Sequence, residues 1–332
     1  MISHDVTHIN GLSHSKSEQD LFSEESKQIL TKDDAGNSSQ RKTTIEGKTF
    51  DEERALYGAV DTLVKNCRFE GPADGESALK ESSNITLENC DLRLRYPLWH
   101  VDHAVIDSCA LTEGCRAALW YAQDLLISKS TLGGIKALRE CRDVTLDSDT
   151  ISSQEFGWRS RDMVIHNCSL VSEYPFFECS SMDIDALTMK AKYSLQYVQD
   201  VVVRNSHFDT KDALWHSKNV TVYDSVLEGE YLAWYSENLR LVRCHIKGSQ
   251  PFCYAKGLVL EDCTMEDCDL SFERSEVQAT ISGRIDSIKN PLAGYIKADS
   301  VGEIIMESEI VDPGKTLLKI TNPSESISGS AA

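Results

Sequence analysis

The chain repeats itself every nineteen residues, and that period constrains its fold more than any other feature. NVTVYDSVLEGEYLAWYSE, from Asn219, is followed at once by NLRLVRCHIKGSQPFCYAK, from Asn238. Units of the same kind begin at Asn84, His103, Asp124, Asp143, Asp162, Ser181, Asp200, Asn219, Asn238 and Gly257, and the one at His103 carries two extra residues. A short fixed period marks a solenoid, in which no unit buries its apolar face alone and neighbours stack to do so.

Within a unit the second and fourth places are apolar and often β-branched, as in Ile85/Leu87, Val144/Leu146 and Val220/Val222. Alternation of that kind describes a short half-buried strand. The first place is nearly always Asn, Asp, Ser or Gly, residues that tolerate bends and bond their own backbone. Strand, bend, strand and bend within nineteen residues make one coil, hydrogen-bonded to the next at ~4.8 Å. Leucine-rich and hexapeptide repeats are excluded, because neither the LxxLxL signature nor a six-residue period occurs. The expected fold is an all-β, right-handed, single-stranded parallel β-helix of about thirteen coils, a rod ~60 Å long, its hand taken from the general rule for parallel crossovers.

The expected layout is a polar, mostly disordered extension over 1–40, an N-terminal cap over 41–60, the β-helix over 61–320 and a floppy tail over 321–332. The cap is needed because an open solenoid end exposes unpaired backbone.

Composition narrows the function. A formal net charge of -19 without a basic run argues against nucleic acid, which binds clustered Lys and Arg. No apolar run is long enough for a membrane span or a secretory leader. The expected location is therefore the cytoplasm, with the eleven cysteines reduced.

Equivalent places stack into columns. The seventh holds Cys90, Cys109, Cys168, Cys244 and Cys263, with Ser130, Ser206 and Ser225 between them, which describes small inward side chains rather than a zinc site. The sixteenth holds all five tryptophans, Trp99, Trp120, Trp158, Trp215 and Trp234, and also Phe177, Arg139 and Gln196. Tyr57 and Lys80 join it by counting back. The seventeenth is largely charged or polar and faces water. The tryptophans either point inward as a core ladder or line an exposed groove, and Arg139 and Gln196 sit poorly in a dry core.

The first coils are dense in charge and aromatics: FDEERALYG from Phe50, GPADGESALKES from Gly71 and LRLRYPLWH from Leu92. These stretches, followed by β-helical units, resemble an uncharacterised bacterial family of pectin-lyase-like β-helix proteins. The resemblance covers roughly Thr44 to Ile320 and implies the fold, but no reaction and no catalytic residue.

The residues themselves carry the chemical reading. Glu81 beside His100 offers a carboxylate-biased imidazole as general base. Lys80, Arg54 and Arg95 can hold an anionic group such as a uronate. Asp74 and Glu76, on the GPADGES loop, supply acid or base groups, while Tyr57, Tyr96, Trp99, Trp120 and Tyr121 offer ring surfaces. No cofactor is expected, with calcium between Asp74 and Glu76 left open. The competing reading of this end is an ion-paired cap. Farther along, Glu140, Arg159 and Glu178 share a column and read as a salt-bridge ladder. Two functions follow: binding of, or lyase or hydrolase action on, an oligosaccharide or sugar acid; or a non-catalytic scaffold that binds another protein or a second copy of itself.

Overall fold

The structure, a computed structural model, describes residues 42–71 and 76–322. The extension expected over 1–40, the loop residue Asp74 and most of the expected tail lie outside the described residues.

The described chain is a parallel β-solenoid of about fourteen turns. Its principal ladder is built from six-residue strands such as Ser83–Glu88, Arg142–Asp147 and Lys218–Tyr223. The pairing Arg142↔Arg161 and Ser180↔Gln199 repeats the nineteen-residue register, and Asp102↔Gln123 shows the two-residue insertion. A second ladder of shorter strands runs beside it, for example Thr150–Ser152 on Ser169–Val171. Within residues 41–60, expected to cap the first coil, Thr43–Glu46 pairs in parallel with Thr62–Lys65 in the nineteen-residue register. At the other end the period breaks: Glu276 pairs with Ala293 and Gly294 with Thr316.

The core is the stack of second, fourth and ninth places, exemplified by Val144, Leu146 and Ile151, all buried. Burial at roughly 25 cal/mol per Å² of apolar surface, repeated over every coil, is what drives the winding. The bend residues explain the preference at the first place. Asp61, Asn84, Asp124, Asp200 and Asn219 have φ of 48–57°, the left-handed region that Asn and Asp enter most readily. Their side chains also stack, with Asn219 donating to Asp200 at 2.9 Å and Asn238 to Asn219 at 3.1 Å. Among the described residues no helix is long and apolar enough to cross a membrane.

Candidate aromatic site on the bend face

In a flat strand, neighbouring side chains point to opposite faces. The bend face breaks that rule by alternating its backbone: Tyr96, Leu98 and His100 have φ of 58°, 60° and 54°. Leu98 turns inward and is buried, whereas Trp99 is half-buried and His100 exposed. The sixteenth and seventeenth places therefore both leave the core, and the tryptophans form neither a core ladder nor an open groove.

The five indoles share one partner. Each Nε1–H donates to the backbone carbonyl of the thirteenth place in the next coil: Trp99 to Ala117, Trp120 to Lys136, Trp158 to Tyr174, Trp215 to Tyr231 and Trp234 to Gln250, at 2.5–2.7 Å. At Ala117, Lys136, Tyr231 and Gln250 the left-handed backbone takes the carbonyl out of the regular ladder, and a half-buried carbonyl without a donor is costly. Gln196 does the same with its amide, donating to Asp212 at 3.1 Å. Arg139 donates instead to the Glu155 side chain, at 2.9 Å.

The rings also stack along the rod. Trp99 lies on Trp120 at 5.1 Å between centroids with planes 4° apart, and Trp215 on Trp234 at 5.4 Å and 2°. The Arg139 guanidinium fills the break between Trp120 and Trp158, 4.8 and 4.7 Å from their centroids. The seventeenth place makes a second ladder, Tyr197–His216–Tyr235–Tyr254, with centroids 4.8–4.9 Å apart. Rings stacked this way cover each other's faces and present mainly edges to water.

The stack opens around Trp158 and Phe177, whose planes are 51° apart. At Glu155, Tyr174 and Tyr193 the thirteenth place lacks the positive φ that Lys136, Ala117 and Tyr231 have, and Glu155–Phe156 instead pairs with Tyr174–Pro175 as a short parallel ladder. The rings there are splayed. Tyr174 is tilted by 60° to Trp158, 46° to Phe177 and 60° to Tyr193, with centroids 5.3–5.5 Å away. Between them lies an open hollow of about 480 Å³, lined by these four rings. Gln154, Glu155 and Glu173 complete its wall.

Polar groups hold the hollow in shape. The Tyr174 hydroxyl donates to Gln196 at 2.7 Å, and burial raises its pKa. Gln154 donates to Glu173 at 2.9 Å, and Lys192 stands 3.8 Å from the same carboxylate. Glu155 is paired with Arg139 and, at 3.7 Å, with Lys136.

The residues singled out near the N-terminal end fall as follows. Tyr57, Lys80 and Trp99 occupy successive coils, with the Lys80 ammonium 5.3 Å from the Trp99 ring centre. Glu81 and His100 are vertical neighbours, since the Glu81 amide donates to the Trp99 carbonyl, but no hydrogen bond or ion pair joins their side chains. His100 stacks instead on Tyr121, 5.0 Å away. Glu76 pairs with Arg95 at 3.7 Å, Arg95 lies 5.7 Å from the Tyr96 ring centre, and Arg54 pairs with Glu53. Trp120 lies one coil beyond Trp99, beside Tyr121. Farther along, Arg159 donates to Glu178 at 2.7 Å, a rung of the expected salt-bridge ladder.

The cysteines are all buried and unpaired, and burial pushes the Cys141 and Cys179 thiols up to about 12, which keeps them protonated and inert. Smallness is only part of what the seventh column provides. Its side chains accept amide protons from the coil before: Ser130 from Cys109 at 3.0 Å and Ser225 from Ser206 at 3.0 Å. Asp149 stands in that column too, unnoticed in the sequence because Cys and Ser dominate the pattern. It accepts from the Ser130 amide at 2.7 Å. Among the described residues no group of three or more His, Cys, Asp or Glu could hold a metal ion.

No curated protein matches the chain. A family model does, over residues 43–319, which is nearly the whole described solenoid. The chain belongs to the DUF3737 family, proteins of unknown function.

Proposed function

We propose that the protein binds an oligosaccharide at the hollow formed by Trp158, Tyr174, Phe177 and Tyr193, without catalysing a reaction on it. The observation that carries this reading is the splay of the four rings. A sugar needs ring surface for its C–H groups and nearby donors and acceptors for its hydroxyls, and four rings with Gln154, Glu155 and Glu173 line the hollow. Catalysis is left out because Glu81 and His100 share no hydrogen bond and His100 stacks on Tyr121. The eleven unpaired thiols suit a reducing compartment, so the ligand would be an intracellular or imported sugar.

The test is a screen of oligosaccharides by intrinsic tryptophan fluorescence, repeated on Tyr193→Ala. That side chain lines the hollow and supports no other coil by a side-chain hydrogen bond among the described residues. Saturable quenching that is lost in Tyr193→Ala supports the reading; the same response in both proteins would move the binding elsewhere.

A scaffold role has one observation in its favour, the outward ladder that includes Tyr197 and Tyr235, 49% and 42% exposed. Concentration-dependent sedimentation, compared with Tyr235→Ser, tests whether that ridge joins two copies.

A further inference from the structure

We propose that the sugar taken by the hollow carries a free ammonium, as in an oligomer of a 2-amino-2-deoxy sugar, and that Glu173 is the residue that selects it. This rests on the binding site assigned above and adds the ligand's charge.

The bend face is a cation-binding surface by construction. Six contacts among the described residues set one of the chain's own cations over a ring, and two flank the hollow: Arg139 over Trp158 at 4.7 Å and Lys192 over Tyr193 at 4.8 Å. The negative quadrupole of an aromatic face attracts ammonium as well as guanidinium groups. The charged groups in the wall are Glu155 and Glu173, whose carboxylates offer acceptors, and no Lys or Arg lines the hollow itself.

The two carboxylates are not equivalent. Glu155 is neutralised by Arg139 at 2.9 Å and by Lys136 at 3.7 Å. Glu173 has one ammonium at 3.8 Å, the outer limit of an ion pair, and a neutral amide from Gln154. A carboxylate has about four acceptor positions, so Glu173 keeps lone pairs for a ligand. A uronate would set its own carboxylate against Glu173 and against ring faces. A protonated amine meets attraction from both, and a charge-assisted hydrogen bond to the carboxylate is roughly twice as strong as a neutral one.

The experiment compares three tetrasaccharides of matched length on the full chain: glucosamine, N-acetylglucosamine and galacturonate, titrated by fluorescence at a pH where the free amine is protonated. Wild type should bind the glucosamine tetramer at least about tenfold more tightly than the other two. Glu173→Gln keeps the side-chain shape but removes the charge, so it should abolish that preference and bring the glucosamine tetramer to the affinity of the N-acetylated one. Equal or tighter binding of the N-acetylated or galacturonate tetramer overturns the charge assignment while the sugar site stands. A preference that survives Glu173→Gln overturns the role of that residue. Failure of all three to bind overturns the sugar site as well.

Discussion

The side-chain amide of Gln196 donates to the backbone carbonyl of Asp212 at 3.1 Å, the bond that every tryptophan in the chain makes to the corresponding carbonyl of its next coil. At six places of the column a donor is aimed at the bend carbonyl, and the ring is the usual but not the obligatory way to supply it; Phe177 and Arg139 do without that bond. Gln196 also accepts from the Tyr174 hydroxyl and so ties the bend to the hollow.

Replacing Gln196 by Leu should therefore act twice, leaving the Asp212 carbonyl without its donor and the Tyr174 hydroxyl without its acceptor. Each lost partner costs about 1–3 kcal/mol when the group stays buried. Urea unfolding should show a loss of about 2–4 kcal/mol at an unchanged m-value. A loss below about 0.5 kcal/mol would mean that water satisfies both groups and that the column is decorative.

Arg139 answers a related question, how a cation can stand in a ring column. It is sandwiched by Trp120 and Trp158 and bonded to Glu155, so its charge is met by two ring faces and a carboxylate. Arg139→Lys keeps the charge but loses the planar stacking surface, and is not a conservative change here. It should cost about 1–2 kcal/mol, against about 2–3 kcal/mol for Arg139→Ala. Equal stability of the Lys variant and the wild type would show that charge alone suffices.

The solenoid was legible in the sequence because each coil repeats the same local demands: alternating apolar places for the strand, and Asn or Asp where φ must be positive. The hydrogen bonds of the indoles were not, since their partner is a backbone carbonyl sixteen residues on from Trp120, Trp158, Trp215 and Trp234, and a carbonyl has no residue type. The hollow was hidden for a sharper reason. Tyr174 and Tyr193 look like Tyr96 and Tyr231, which occupy the same place in other coils, yet the first pair lacks the positive φ of the second. Tyr96 and Tyr231 stand edge-on to Trp99 and Trp234, at 65° and 75°, whereas Tyr174 and Tyr193 line the hollow, and no pattern of residue types distinguishes the two. Vertical adjacency suggests Glu81 and His100 as a catalytic pair, and the same coil spacing lets His100 stack on Tyr121.

Gly229 tests how tightly the coils are wound. Its φ is 146°, and a Cβ there would lie 1.6 Å from the carbonyl oxygen of Thr210 in the coil before. Only backbone movement relieves such a clash, and the movement would shift the bend above Asp212. Gly229→Ala should lower stability by more than about 3 kcal/mol or prevent accumulation of folded protein. By contrast Gly283, whose φ is 90° with nothing within 4 Å of its Cβ, should tolerate Ala with only the strain of its dihedral, about 1 kcal/mol. Similar losses at the two positions would show that coil spacing is looser than described.

Asp149 gives the stability of the rod a pH dependence of unusual sign. Its side chain is 2% exposed, its Oδ1 accepts from the Ser130 amide, and its Oδ2 has no hydrogen-bond partner. Burial raises its pKa from 3.8 to about 7. Between those values the folded chain holds a proton that the unfolded chain has released, so stability falls as pH rises through the window and levels off above it. The full shift corresponds to about 4 kcal/mol, and partial solvation of the column would reduce this to about 2 kcal/mol. Asp149→Ser installs the residue that the column uses at Ser130, Ser206 and Ser225, keeps an acceptor for the Ser130 amide and removes the titration. The difference in unfolding free energy between Asp149→Ser and wild type should grow in favour of the variant from pH 4 to pH 7 and then stay constant. A difference that does not change with pH would mean that Asp149 is ionised in the folded chain at every pH in that range, with its charge met by a group other than the Ser130 amide.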